Sequence, residues 1–262
     1  MSKVTANYGN WMPEEMVYGA AAGSAVLAAA ALGVSLSGNR YRRILAPIAA
    51  GSAAACGAYA LYSAIARAAF SYDGKRKLSR DIIDGIAGYV TLPDGGRGLD
   101  VGCGSGALTI ACAKKNPRAQ MLGIDTWGPE YQAFSRIVCE KNAAAEGVTN
   151  ARFEKGNACH LDYPDESFDC VVSNYVYHNI FGKDRRKILR ESLRVLKKGG
   201  TFAIHDLMSK GRFGDMHAFA DSLQAEGYQE VHLTDTTKQF FHSPAEARLL
   251  MLGSSTLLWG TK

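Results

Sequence analysis

The stretch "GLDVGCGSGALTI", residues 98–110, runs from an apolar strand through three glycines into the start of an apolar helix. Gly102, Gly104 and Gly106 permit positive φ and let the backbone come close to a ligand. A G-x-G-x-x-G spacing alone would also suit a dinucleotide. Here the pattern is D-x-G-x-G-x-G, with Asp100 inside the turn region, where a carboxylate would repel a pyrophosphate and attract a ligand ammonium. A reductase using a nicotinamide dinucleotide is disfavoured on that ground.

The same strand and turn grammar repeats downstream. "AQMLGIDTWG" (119–128) supplies a second strand ending in Asp125, whose carboxylate can accept hydrogen bonds from two ribose hydroxyls. "RFEKGNACHLDYPDESFDCVVSNYVYHNI" (152–180) holds a third strand, a turn and a fourth strand. "ILRESLRVLKKGGTFAIHDL" (188–207) adds a helix, a Lys-Lys-Gly-Gly turn and a fifth strand. A helix around Asp215–Glu226 and strands at Tyr228–Leu233 and Thr256–Gly260 complete the series. The fold class expected is α/β, a Rossmann-like, mostly parallel sheet of seven strands with helices on both faces, preceded by a two-helix transmembrane hairpin.

That hairpin is read from two uncharged runs, Val17–Leu36 and Ile44–Ala66, each about as long as a spanning helix needs to be. A soluble alanine-rich pair would carry a charged face, and these runs carry none. Small residues recur every fourth position at Gly19 and Gly23 and at Ala50, Ala54 and Ala58, a spacing that suits close helix contacts, including contacts that bring subunits together as a homo-oligomer. Glu14 and Glu15 ahead of the first run, and the second run in tandem, fit a signal peptide poorly. Arg40, Arg42 and Arg43 sit between the runs, whereas Lys3, Arg67, Lys75, Arg76, Lys77 and Arg80 flank the opposite side, so the charge bias puts the larger domain on the cytoplasmic side of a membrane, with a hairpin dipping into one leaflet as the alternative to two full crossings. The expected division is residues 1–72 for the segment with the two helices and 73–262 for the catalytic domain.

The net charge of +5 comes without a long Lys/Arg tract and so does not by itself indicate nucleic acid. Six cysteines, Cys56, Cys103, Cys112, Cys139, Cys159 and Cys170, form no C-x-x-C pair and read as reduced thiols, with no metal site implied.

On the D-x-G-x-G-x-G turn and the strand ending in Asp125, the chain resembles the class I S-adenosylmethionine-dependent methyltransferases, and within them the small-molecule type that includes the ubiquinone and menaquinone methyltransferases. The resemblance covers roughly Lys77 to Lys262. It implies S-adenosyl-L-methionine as cofactor, with Asp100 holding the methionine part and Gly102, Cys103, Gly104 and Gly106 passing beside it. It also implies Asp125 on the ribose, Thr126 and Trp127 along the adenine, and Asn157 with Ala158 near the adenine amino group. Asn157 stands where the family commonly has Asp; its carbonyl can still accept a hydrogen bond. Asn174, just past the fourth strand, falls beside the expected methionine group.

Methyl transfer from a sulfonium needs alignment and desolvation, and a base only where the acceptor loses a proton. His178 in the loop after the fourth strand is the first candidate base, followed by His205 and Asp206 at the end of the fifth strand, with Tyr175 and Tyr177 as alternates. The bordering loops carry Phe181, Met208, Phe213, Phe240 and Phe241, a set that fits an apolar acceptor. The segment "SNYVYH" lacks the N-P-P-Y signature of amino-group nucleic-acid methyltransferases, and no Pro-Cys nucleophile is present, which disfavours nucleic acid as substrate. The expectation is a membrane-anchored methyltransferase acting on a small-molecule or lipid-like acceptor; the competing reading is a membrane protein that binds the cofactor as a sensor or scaffold without turnover.

Overall fold

The computed structural model describes residues 5–128 and 134–262. The described residues divide into two compact units, one formed by 5–9 with 80–128 and 134–262 and the other by 10–79. The smaller unit ends at Ser79. Residues 5–9, ahead of the apolar runs, join the larger unit because the backbone of Asn7 and Tyr8 finds partners there.

The smaller unit is a pair of helices, α1 (Glu14–Leu36) and α2 (Arg42–Phe70), each longer than its uncharged run because the flanking charged residues continue the helix. The contact seam does not follow Gly19 and Gly23, where an added Cβ would meet nothing within 4 Å among the described residues, and Ala50, Ala54 and Ala58 are exposed. It runs instead through Val17, Ala20, Ser24, Leu27, Ala31 and Val34 on α1 and Ala46, Ala49, Ala53, Cys56, Ala60 and Ser63 on α2, the less exposed positions at alternating spacings of three and four. Ser24 Oγ donates to the Ala53 carbonyl at 2.8 Å, and Gly57 lies against Ser24. At the open end of the pair Arg67 donates to the Met12 carbonyl and pairs with Glu14, while Trp11 packs on Phe70 with ring centroids 5.5 Å apart. The large apolar side chains Val26, Leu32, Leu36, Ile44, Ile48 and Leu61 point outward, each more than half exposed.

The larger unit is one sheet of seven strands in the order β3-β2-β1-β4-β5-β7-β6. The strands are β1 (Arg97–Val101), β2 (Gln120–Asp125), β3 (Ala151–Lys155), β4 (Phe168–Asn174), β5 (Leu196–Leu207), β6 (Glu230–Asp235) and β7 (Ser255–Thr261). The first five pair in parallel, and β7 runs antiparallel between β5 and β6, as the seven-strand reading requires. The helices are α3 (Leu78–Ala87), α4 (Ala107–Lys115), α5 (Arg136–Ala145), α6 (Arg185–Arg194), α7 (Lys210–Phe213), α8 (Met216–Ala225) and α9 (Pro244–Leu249). Right-handed crossovers to β2 and β3 run one way from β1, and the crossover from β4 to β5 runs the other way, so α4 and α5 cover one face while α6 and α8 cover the other.

The apolar core on the second face joins Leu99, Val101 and Val171 to Ile188, Leu189 and Leu193 of α6 and to Phe219 and Leu223 of α8. Strand alternation then turns Asp100 toward α4. The direction in which the crossovers travel reverses between the parallel strands β1 and β4, and an open α/β sheet receives its ligand at the carboxyl ends of the strands beside such a point.

Candidate active site

At the carboxyl end of β1 three glycines adopt left-handed φ: +76° at Gly102, +55° at Gly104 and +83° at Gly106. They are glycines for different reasons. A Cβ on Gly102 would lie 2.3 Å from Val176 Cγ2, and one on Gly106 would lie 2.9 Å from the Phe153 ring, so these two make room for the protein's own packing. Among the described residues, a Cβ on Gly104 would meet only Phe134 Cδ2, at 3.9 Å, and it is the member that leaves space for a ligand. Cys103 between them is buried; its N–H donates to the Ile124 carbonyl at 2.9 Å, and burial holds its thiol pKa well above the ordinary value.

Asp125 organises this turn. Its Oδ2 accepts from Gly104 N and its Oδ1 from Trp127 N, both at 2.9 Å. Trp127, at a φ of +42°, folds its indole back so that Nε1 donates to the Gly104 carbonyl at 2.9 Å. Thr126 between them is exposed. Asp100 is 1% exposed beneath the turn, with Oδ2 accepting from Thr109 Oγ1 at 2.6 Å and Oδ1 lacking any hydrogen-bond partner among the described residues. Burial first, and the neighbouring Asp125 charge second, push its pKa up to about 7. An orphaned buried carboxylate oxygen below an open glycine is what a ligand ammonium would satisfy. On this observation the residues present fit S-adenosylmethionine.

Past β3, Asn157 is exposed and its Oδ1 accepts from Cys159 N at 2.9 Å, while Ala158 packs on the core. Asn174 ends β4, and its Oδ1 faces His205 Nδ1 at 2.8 Å. His205 Nε2 in turn faces Thr236 Oγ1 at 2.8 Å, and the ring is fully buried, which lowers its pKa to about 3. Both ring nitrogens are thus engaged in a neutral imidazole that orients Asn174.

His205 and Asp206, neighbours in β5, point to opposite faces of the sheet. Asp206 is fully buried and accepts from Tyr177 N at 2.7 Å, His178 N at 3.3 Å and Leu207 N at 2.6 Å. Its Oδ1 also lies 2.7 Å from His178 Nδ1, and the His178 side chain keeps 18% exposure. A carboxylate only accepts, so it fixes the proton on Nδ1 and leaves the Nε2 lone pair outward. Sequence reasoning named both residues without joining them.

Tyr175 caps the loop at a φ of +56°, with its hydroxyl 2.6 Å from Ser255 Oγ and its ring 4.6 Å from His205; burial raises its phenol pKa. Tyr177 turns into the core, its hydroxyl on Ser192 Oγ at 2.9 Å, and burial raises its pKa as well. Neither phenol is placed to ionise. Sequence reasoning missed Thr109, which orients Asp100, and Arg185, which donates to the carbonyls of Tyr177, His178 and Arg212 and so ties the loop after β4 to the loop after β5. Of the five apolar loop residues, only Phe181 is exposed, at 83%; Met208, Phe213, Phe240 and Phe241 are core. No cluster of three His, Cys, Asp or Glu side chains suited to a metal occurs among the described residues.

Residues 99–204 match the family described as a methyltransferase domain. An uncharacterised methyltransferase, YcgJ of Bacillus subtilis, is 37% identical over 42% of this chain and 40% of its own. A demethylmenaquinone methyltransferase of Geobacillus stearothermophilus is 35% identical over 42% and 45%, and a 27-O-demethylrifamycin SV methyltransferase of Amycolatopsis mediterranei is 30% identical over 56% and 51%. The chain spans about half the length of the relatives it matches. Among solved structures, the [4+2]-cyclase SpnF is similar with a TM-score of 0.54 and 21% identity over 73% of this chain and 85% of its own. A geranyl diphosphate methyltransferase is similar with a TM-score of 0.52 and 12% identity over 71% and 82%. These two likenesses concern the fold, which carries more than one chemistry. The match over residues 99–204, with the D-x-G-x-G-x-G turn at its start, makes this stretch a methyltransferase domain of the class I S-adenosylmethionine-dependent kind.

Proposed function

We propose that the chain is a methyltransferase held at a membrane by α1 and α2, which moves a methyl group from S-adenosylmethionine to a small apolar or amphiphilic acceptor whose attacking atom yields its proton to His178. The His178–Asp206 pair is the observation that carries this reading, because an oriented base has no use in a protein that only binds the cofactor. When bound, the cofactor supplies an electrophilic methyl on a sulfonium, whose leaving group departs neutral. Asp100 would hold its ammonium, Asp125 its ribose hydroxyls, Gly104 the space beside it, and Trp127 and Thr126 its adenine.

The acceptor class is supported by a cleft of about 410 Å³ beyond the end of β5. Met208, Met216 and Leu233 give it an apolar floor, and Lys210, His217 and Asp235 a polar rim. Thr256 pairs with Asp206 on one side and Asp235 on the other, so one sheet face runs from the base to this cleft. The relatives named for menaquinone and rifamycin precursors point to small acceptors as well. Membrane attachment is supported by the outward apolar faces of α1 and α2, whose mean hydropathies are 1.7 and 1.6.

Two measurements test the proposal together. Full-length protein incubated with methyl-labelled cofactor and a total lipid and metabolite extract is expected to transfer label to an organic-soluble product. It is also expected to need detergent for extraction from membranes. Absence of any labelled product, or a monodisperse protein in detergent-free buffer, would reject the corresponding half.

Asp100 gives a pH dependence. Its carboxyl, raised to about 7 by burial, must be ionised to receive an ammonium, so protonation competes with the cofactor as pH falls. The ionised fraction rises about tenfold between pH 6 and pH 8, and cofactor affinity is expected to rise by the same factor. Calorimetric titration across that range checks it. Affinity that stays flat with pH in the parent, or an unchanged slope in Asp100→Asn, would remove Asp100 from the ammonium site.

A further inference from the structure

The residues ahead of α1 are bonded to the cofactor's turn. Asn142, 3% exposed on α5, accepts from Asn7 N at 2.8 Å through Oδ1 and donates through Nδ2 to the Asn7 carbonyl at 2.9 Å and the Ser105 carbonyl at 3.0 Å. Ser105 stands between Gly104 and Gly106, 8% exposed, and its hydroxyl donates to the Tyr8 carbonyl at 2.9 Å. Tyr8 is itself buried, and Gly9, at a φ of +71°, lies against the same Phe134 ring that neighbours Gly104. The middle residue of the turn is therefore held by this strap through its hydroxyl, and through its carbonyl by Asn142, which the strap in turn engages.

We infer that Asn7–Gly9 is a positioning element of the cofactor site: it fixes the glycine turn, through Ser105 and Asn142, in the shape that receives S-adenosylmethionine. The inference rests on the proposed cofactor assignment. Two of the three residues from Gly104 to Gly106 are left-handed glycines, the most conformationally free of residues once unpinned. A turn that must be ordered by its ligand binds that ligand more weakly than one already ordered. The strap touches neither His178 nor Asp206, so its loss acts on cofactor binding and spares the chemical step.

The test uses the full chain with α1 and α2 intact in detergent micelles, comparing the parent, a variant lacking residues 2–9, and Ser105→Ala. Calorimetry with S-adenosylhomocysteine is expected to show affinity reduced about tenfold by the deletion and about threefold by Ser105→Ala, which removes a single hydrogen bond. Turnover at saturating cofactor should stay within about twofold, so the effect sits in KM for the cofactor rather than in kcat. Equal affinity in parent and deletion variant overturns the inference; if the deletion variant does not fold, equal affinity in Ser105→Ala overturns it. A parent that binds no cofactor overturns the cofactor assignment and the inference with it.

Discussion

Replacing His178 with alanine is expected to lower turnover by about 10²–10⁴-fold, the usual contribution of a positioned general base, and to leave cofactor affinity unchanged. The geometry accounts for both halves of this result. Asp206 is fixed by three backbone N–H groups and holds Nδ1 at 2.7 Å, so the ring presents one nitrogen, already in the accepting form. None of the contacts among Asp100, Gly104, Asp125 and Trp127 passes through His178. The loss is confined to acceptors that must shed a proton as they attack; a tertiary amine or thioether, which does not, keeps its rate. Asp206→Asn is expected to act in the same direction, since an amide facing Nδ1 with its nitrogen would select the opposite tautomer. Single-turnover rates at saturating cofactor measure the effect. Parent-like turnover of a phenol or thiol acceptor by His178→Ala would dismiss the base.

Asp125→Ala is expected to weaken cofactor binding by about 1.5–3 kcal/mol, or 10- to 150-fold, through the loss of hydrogen bonds to a charged acceptor. In this structure the carboxylate has two tasks. One lone pair on each oxygen already receives a backbone N–H, from Gly104 and Trp127, and the second on each remains for a ribose hydroxyl. Alanine removes the ligand's partners and also releases Trp127 from its left-handed conformation. Asparagine keeps one accepting oxygen and should fall between parent and alanine. Calorimetry reads the series, and affinity unchanged in Asp125→Ala would withdraw the ribose assignment.

Local grammar made the sheet legible. The strand, glycine turn and helix at residues 97–115 lie within one short segment, and each glycine reports a backbone demand at its own position. The proposed base was legible only in pieces: His178 and Asp206 are 28 residues apart, and whether His205 or Asp206 meets His178 depends on strand parity, which shifts with one residue of register. The helix seam was misread because alanine on every side removes the contrast between faces by which an amphipathic helix declares its orientation. Gly19 and Gly23 had the familiar spacing, yet Ser24 beside them makes the contact. Phe213, Phe240 and Phe241 showed the converse, since an aromatic in a loop segment reads as a binding wall until its burial is known. The strap at Asn7–Gly9 left no mark at all: it is short and polar, and its partner Asn142 lies 135 residues away.

That separation has a consequence for biogenesis. At about 5–20 residues per second, Asn142 leaves the ribosome roughly 7–27 s after Asn7. On the proposed topology the two apolar helices enter the bilayer during that interval, with the amino-terminal residues waiting for a binding site not yet made. Because residues 5–9 and 80–262 close into one folded unit, both ends of the pair must be delivered to the same side, and an arrangement that crosses once cannot be completed. A chain whose amino terminus is carried to the wrong side still builds its sheet, but Ser105 and Asn142 never meet their partners. On that proposed topology, correct insertion becomes a condition for the strap to reach Ser105 and Asn142.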